Sequence, residues 1–287
     1  MVVNAMTVDV EDYFHVSAFE GVVRRDRWDA YERRVTANTM RLLAAFDQAA
    51  VRATFFVLGW VAQREPSLVR AIVAAGHELA SHGYAHRLIY EQERPAFRED
   101  VRHAKAVLEQ IGGVAVRGYR APSFSITPRS RWALEILIEE GYAYDASIFP
   151  IRHDRYGMPG APRHPYVERA GGRSIAEAPA TTVTFGPMTL PAAGGGYFRL
   201  FPYAFTRWAI RRVNEQDQVP AIFYLHPWEV DPSQPRINAG RISRFRHYTN
   251  IRRTEPRLRR LLNDFAFAPL GEVLESLQLL PVSRSAA

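Results

Sequence analysis

Short apolar runs recur along this chain, each ending in polar residues and most followed by a segment of helical periodicity. Residues 5–10, 53–58, 76–80, 114–119, 142–147 and 220–225 read as strands, and 34–50, 66–75, 97–111, 129–140 and 205–214 as helices. The run Ala53-Thr54-Phe55-Phe56-Val57-Leu58 is apolar almost throughout, as a strand covered on both faces requires. Strands alternating with helices demand a parallel sheet, because each crossover needs a helix-length connection. Polar chemistry at successive strand ends is the arrangement of a (β/α) barrel. An open doubly wound sheet is the runner-up, but no glycine-rich phosphate loop follows the first strand.

The rest of the chain is less regular. Residues 151–173, rich in Pro, Gly, His and Arg, read as a surface excursion, and 174–190 as short strands. Gly194-Gly195-Gly196 lacks the Lys-Ser/Thr of a phosphate loop and reads as a tight turn that lets backbone approach a ligand. Helices at 258–265 and 270–279 close the structure.

Of the 287 residues 47% are hydrophobic, enough for a substantial core, and nothing suggests a repeat or an interdomain linker. The net charge of +7 comes largely from late arginines, among them Arg241, Arg244, Arg246, Arg252 and Arg253. They read as a solvated helix face whose stems cover the core, ahead of contact with an anionic polysaccharide or a membrane surface. No nucleic-acid-binding motif accompanies them. Without cysteine, any metal must be held by imidazole and carboxylate. The first residues lack the pattern of a secretory signal and no run approaches membrane-spanning length, so a cytoplasmic protein is expected. The oligomeric state is left open.

His82 and His86 are four residues apart, one helical turn, so both rings can reach one ion. On an extended strand Asp9 and Glu11 share a face, a costly pairing unless a cation or proton compensates. Arg120, Asp145 and His226 end later strands. One carboxylate and two neutral imidazoles make a three-ligand metal site with open positions; a second carboxylate can serve as base and a separate imidazole as acid.

These segments resemble, in order, the five motifs of the NodB-homology polysaccharide deacetylases: Thr7–Phe14, Ser81–His86, Arg120–Phe124, Tyr144–Ser147 and Tyr224–Pro227. Ser243–Tyr248 and the arginine-rich segment after it resemble the C-terminal extension of an exopolysaccharide-locus branch. The resemblance implies a distorted (β/α)7 barrel over 1–287, with 235–287 an extension packed upon it. It implies a metal-dependent hydrolase removing N-acetyl groups from hexosamines of a polysaccharide or lipid-linked oligosaccharide. The alternatives are an amidase on a small cyclic amide or ureide, and a non-catalytic carbohydrate-binding protein. Asp9 is then the base, His226 the acid, and Zn2+ (or Co2+ or Ni2+) is bound by His82, His86 and Glu11. Pleat geometry favours Glu11, with Asp12 the alternative if the strand bulges. Arg120 and Asp145 are expected to hold the base and its surroundings, and Pro122, Leu225, Trp228 and Tyr197 to line the substrate pocket.

Overall fold

In the computed structural model, which describes residues 2–281, the expected alternation is present, with additions. β1 (Asn4–Val10) leads to α1 (Val35–Gln48), β2 (Thr54–Val57), α2 (Gly59–Arg64), α3 (Pro66–Ala74) and β3 (Glu78–Ser81). Then come α4 (Arg94–Gly112), β4 (Gly118–Tyr119), α5 (Ala133–Glu139) and β5 (Tyr144–Asp145). The supposed excursion holds β6 (Tyr166–Ala170), which forms an antiparallel hairpin with β7 (Arg173–Glu177). Its turn is Gly171-Gly172, both at positive φ, as a two-residue hairpin loop requires. The hairpin β8 (Thr182–Phe185) and β9 (Met188–Pro191) precedes α6 (Gly195–Leu200), α7 (Tyr203–Arg212) and β10 (Ile222–Leu225). The chain ends in α8 (Arg241–Tyr248), α9 (Ile251–Asp264), β11 (Phe267–Ala268) and α10 (Leu270–Ser276).

The strand order is β10-β1-β2-β3-β4-β5-β7-β6, parallel except at β6, with β11 also pairing β1. Backbone hydrogen bonds continue around the open side: Ala192 N–H donates to Thr181 C=O (3.0 Å) and Tyr224 N–H to Ala193 C=O (2.7 Å). This is a barrel-like sheet with one irregular side. The tight turn expected at 194–196 is present and serves that closure: a Cβ on Gly194 would lie 2.0 Å from the Tyr224 carbonyl oxygen.

The pleat sorts β1 into two sets. Met6, Val8 and Val10 pack outward with the helices, while Ala5 belongs to a smaller interior cluster with Phe56, Ala80, Tyr144 and Ile222. Leu270, Val273 and Leu274 of α10 complete that interior cluster, so α10 is the barrel floor rather than a covering on its outside. Glu78 ties the floor to the strands, accepting from Thr54 Oγ1 (2.5 Å), Tyr144 Oη (2.9 Å) and Gly271 N–H (2.9 Å). Of the expected 235–287 extension, 282–287 lie outside the described residues.

Candidate metal centre and active site

Continuing the alternation of β1, Asp9 and Glu11 both enter the barrel mouth and are buried. Glu11, His82 and His86 each offer a ligand atom, all within 4.8 Å of one another. The imidazoles do not meet through a helical turn as their spacing suggested. Residues 82–86 form a bend, with Gly83 at φ 74° and His86 in the left-handed region at φ 48°. Arg25 holds this bend, its guanidinium donating to the carbonyls of Ala85 and His86. A non-glycine residue held there stores strain, as functional positions often do.

The protonation pattern suits a cation. His82 Nδ1 donates to the Arg120 carbonyl (2.8 Å), leaving the Nε2 lone pair free, and burial lowers its pKa to about 4. His86 Nε2 approaches Glu11 Oε2 to 2.8 Å, yet that oxygen has no properly aligned hydrogen bond. Burial pushes the Glu11 carboxyl up, but His86, His226 and His82 outweigh it and hold it well below the usual carboxylate range. An anionic oxygen without a donor beside two imidazoles is the donor set of a divalent cation. Asp12 is committed elsewhere: its Oδ2 accepts from the N–H groups of Arg34 (2.7 Å) and Val35 (2.9 Å), capping α1. Thr36 and Asn38, which by residue type could cap α1, donate to Glu65 and Asp231.

Arg120 spans the barrel interior. Its Nη1 donates to Asp9 Oδ1 (2.7 Å) and Thr7 Oγ1 (2.7 Å), and Nε donates to the Ala146 carbonyl (3.1 Å). Asp9 Oδ2 is thereby turned toward His226 Nε2, 3.9 Å away. His226 Nδ1 lies 2.5 Å from Glu229 Oε1, so that nitrogen carries the proton given to Glu229 and Nε2 faces the centre. Burial lowers the His226 pKa, but the Glu229 hydrogen bond and the charges of Glu11, Glu229 and Asp9 raise it to about 9. Glu229 is itself held by Arg199 Nε (2.8 Å), and Arg199 Nη1 reaches the carbonyls of His247 (2.6 Å) and Thr249 (3.1 Å).

Residues 27–139 match the family model described as polysaccharide deacetylase, and 146–275 match a domain of unknown function, DUF3473. Over residues 27–139 the chain carries a polysaccharide deacetylase domain. Over 98 residues it is 30% identical to a peptidoglycan-N-acetylglucosamine deacetylase of Bacillus cereus, a stretch covering 34% of this chain and 36% of the relative. The chain thus spans about a third of the length of such relatives. Among solved structures, a “probable polysaccharide deacetylase” from Pseudomonas aeruginosa aligns with TM-score 0.63 at 18% identity, over 99% of this chain and 93% of the other. The PuuE allantoinase aligns with TM-score 0.60 at 15% identity, over 99% and 93%. The fold is therefore the NodB deacetylase fold, and it does not by itself choose the substrate.

The deacetylase-domain match begins after Asp9 and Glu11 and ends before His226, although all three face one centre. β1, which lies outside both matched segments, sits between β10 of the second and β2 of the first and so joins them in one sheet. Asp145 touches neither Asp9 nor His226 by hydrogen bond; its Oδ1 accepts from Ser147 Oγ (2.5 Å), which in turn accepts from Ala121 N–H (2.7 Å). It therefore braces the loop after Arg120 at one remove. Leu225 and Trp228, expected to line a pocket, are buried. Leu225 follows β10 outward because of the pleat. The Trp228 ring stacks between His226 (5.0 Å) and His247 (4.1 Å), and its Nε1 donates to Glu11 Oε1 (3.1 Å). Pro122 is buried too, in a turn where Ser123 and Phe124 both have positive φ. Tyr197 is half-buried and shares a hydrogen bond with Tyr156 (3.1 Å). Sequence reasoning missed Glu229, Arg199 and His247. The signal for Glu229 was its place three residues after His226 in a turn; the other two had none.

Proposed function

We propose that the protein is a metal-dependent N-deacetylase acting on N-acetylhexosamine units of a polysaccharide. One observation carries the reading: a held carboxylate, Asp9, and a held imidazole, His226, both face the Glu11–His82–His86 cluster. A divalent cation there, of which Zn2+ suits one carboxylate and two imidazoles, supplies a Lewis acid beside the reacting carbonyl and acidifies water. Arg120 fixes Asp9 so that Oδ2 takes the proton of the attacking water. The water oxygen bonds to the acetamide carbon, and the C–N bond then breaks. His226 gives its Nε2 proton to the departing nitrogen, and Glu229 stabilises the cationic ring beforehand. The products are a free amino sugar and acetate. Burial of Asp9, Glu11, His82, His86 and Arg120 strengthens these interactions, while His226 keeps a partly exposed edge toward incoming substrate. A role in exopolysaccharide synthesis is supported only by the resemblance of Ser243–Tyr248.

The test loads the purified protein with Zn2+, Co2+ or Ni2+ and measures acetate release from N-acetylglucosamine oligomers. His226→Ala is expected to lower turnover by about 10²–10⁴ while bound metal stays unchanged. Ring opening of allantoin without acetate release, or loss of metal in the His226 variant, would overturn the reading.

A further inference from the structure

Between Asp231 and Glu255 the chain has no acidic residue and six arginines: 236, 241, 244, 246, 252 and 253. Among the described residues, Arg236, Arg241, Arg244, Arg252 and Arg253 have no carboxylate partner, although many arginines elsewhere do, such as Arg98 and Arg102 on Glu140. Arg236, Arg241 and Arg244 line one open cavity of about 380 Å³, with Phe245 and Tyr248. Guanidinium groups without carboxylate partners around a shared cavity, Arg236 lying over the Tyr248 ring, form a site for anionic oxygen.

At the centre of this basic surface are two large apolar side chains. Ile242 is 70% exposed and Phe245 is 61% exposed. Three residues apart on α8, they share one face, and at about 100° per residue that face lies opposite His247. His247 is the buried key of α8: its Nε2 meets Gln234 Oε1 (2.7 Å) and its ring stacks on Trp228. Packing therefore fixes which side of the helix is outward; Arg241 flanks the apolar pair on one side, and Arg246, 3.7 Å from the exposed Asp154 carboxylate, on the other. The expected role of this segment, arginine stems lying over the core, does not describe a helix whose Ile and Phe point to solvent.

We infer that α8 docks the protein on an anionic lipid surface, with Ile242 and Phe245 entering the acyl boundary and the arginines meeting lipid phosphates. A soluble acidic polymer would pair with the arginines but gives no reason for two exposed apolar side chains, whereas an interfacial helix needs both. The stack from His247 through Trp228 to His226 would place the reaction centre directly behind the docked face. The inference does not depend on what that centre catalyses, since binding is read without turnover.

The experiment is co-sedimentation of the intact protein with phosphatidylcholine vesicles and with vesicles containing phosphatidylglycerol. The wild type is expected to sediment only with the anionic vesicles, less so as salt rises. The double variant Ile242→Ser/Phe245→Ser should lose about tenfold or more of that binding, and Arg241→Gln/Arg244→Gln about fivefold per arginine. Thermal melts check that both variants fold. Wild type remaining in the supernatant with anionic vesicles, or the serine pair sedimenting like wild type, overturns the inference. So does binding to dextran sulfate, equal in wild type and the serine pair, without vesicle binding.

Discussion

Glu229 decides the charge of His226. With the carboxylate at 2.5 Å from Nδ1 the imidazolium persists to about pH 9 in the metal-free protein. Glu229→Gln removes that charge and leaves the burial that favours the neutral ring. The expected outcome is a lower His226 titration midpoint, measured by NMR of the ring nitrogens in metal-free protein, and an alkaline limb of kcat/KM displaced to lower pH. An unmoved midpoint would separate the two residues. The Asp9–Arg120 contact carries a complementary prediction: Arg120→Lys, which keeps charge but not the planar fork, should lower kcat by about 10-fold or more with little change in bound metal. Asp9, His82, His86 and His226 were legible because metal and proton-transfer chemistry restricts residue types, and Glu11 because the strand's two-residue period puts it beside Asp9. The actual roles of Asp12 and Trp228 were hidden. Capping by Asp12 depends on where α1 starts, and the indole donation to Glu11 depends on a turn after β10.

Among the elements, β5 and β7 place Asp145 directly beside Glu177. Both are fully buried, and burial followed by the Asp145 charge raises the Glu177 carboxyl well above its ordinary 4.5. Because the folded state holds this proton more tightly than the unfolded chain, the contribution is full below about pH 4.5 and is lost as pH rises through the folded value. This is opposite in sign to a salt-bridged carboxylate. Glu177→Gln, neutral at every pH, should therefore flatten the decline of Tm on the alkaline side; an unchanged slope would contradict a Glu177 carboxyl held protonated by burial and the Asp145 charge. Helices α1, α3 and α4 were readable from their periodicity. β4 and β5 proved only two residues long, and β6 was missed, because a half-exposed antiparallel edge strand lacks a continuous apolar run.

For the molecule as a whole, the floor built by α10 is a stability element. Leu274 is fully buried against the inward-facing strand residues, so Leu274→Ala should cost about 2–5 kcal/mol, read from urea unfolding. A loss under 1 kcal/mol would show that α10 merely rests against the barrel. The overall rhythm was visible in the sequence, but the floor was not, since amphipathicity shows that a helix has a buried face and not which surface it meets. One pairing has a kinetic meaning. Ala5 of β1 lies in register with Ile222 of β10 and Ala268 of β11. A ribosome makes β1 long before β10 and β11, so that strand waits with its edge uncovered until they emerge. Chains arrested before β10 emerges should be degraded by added protease, and full-length chains should resist it.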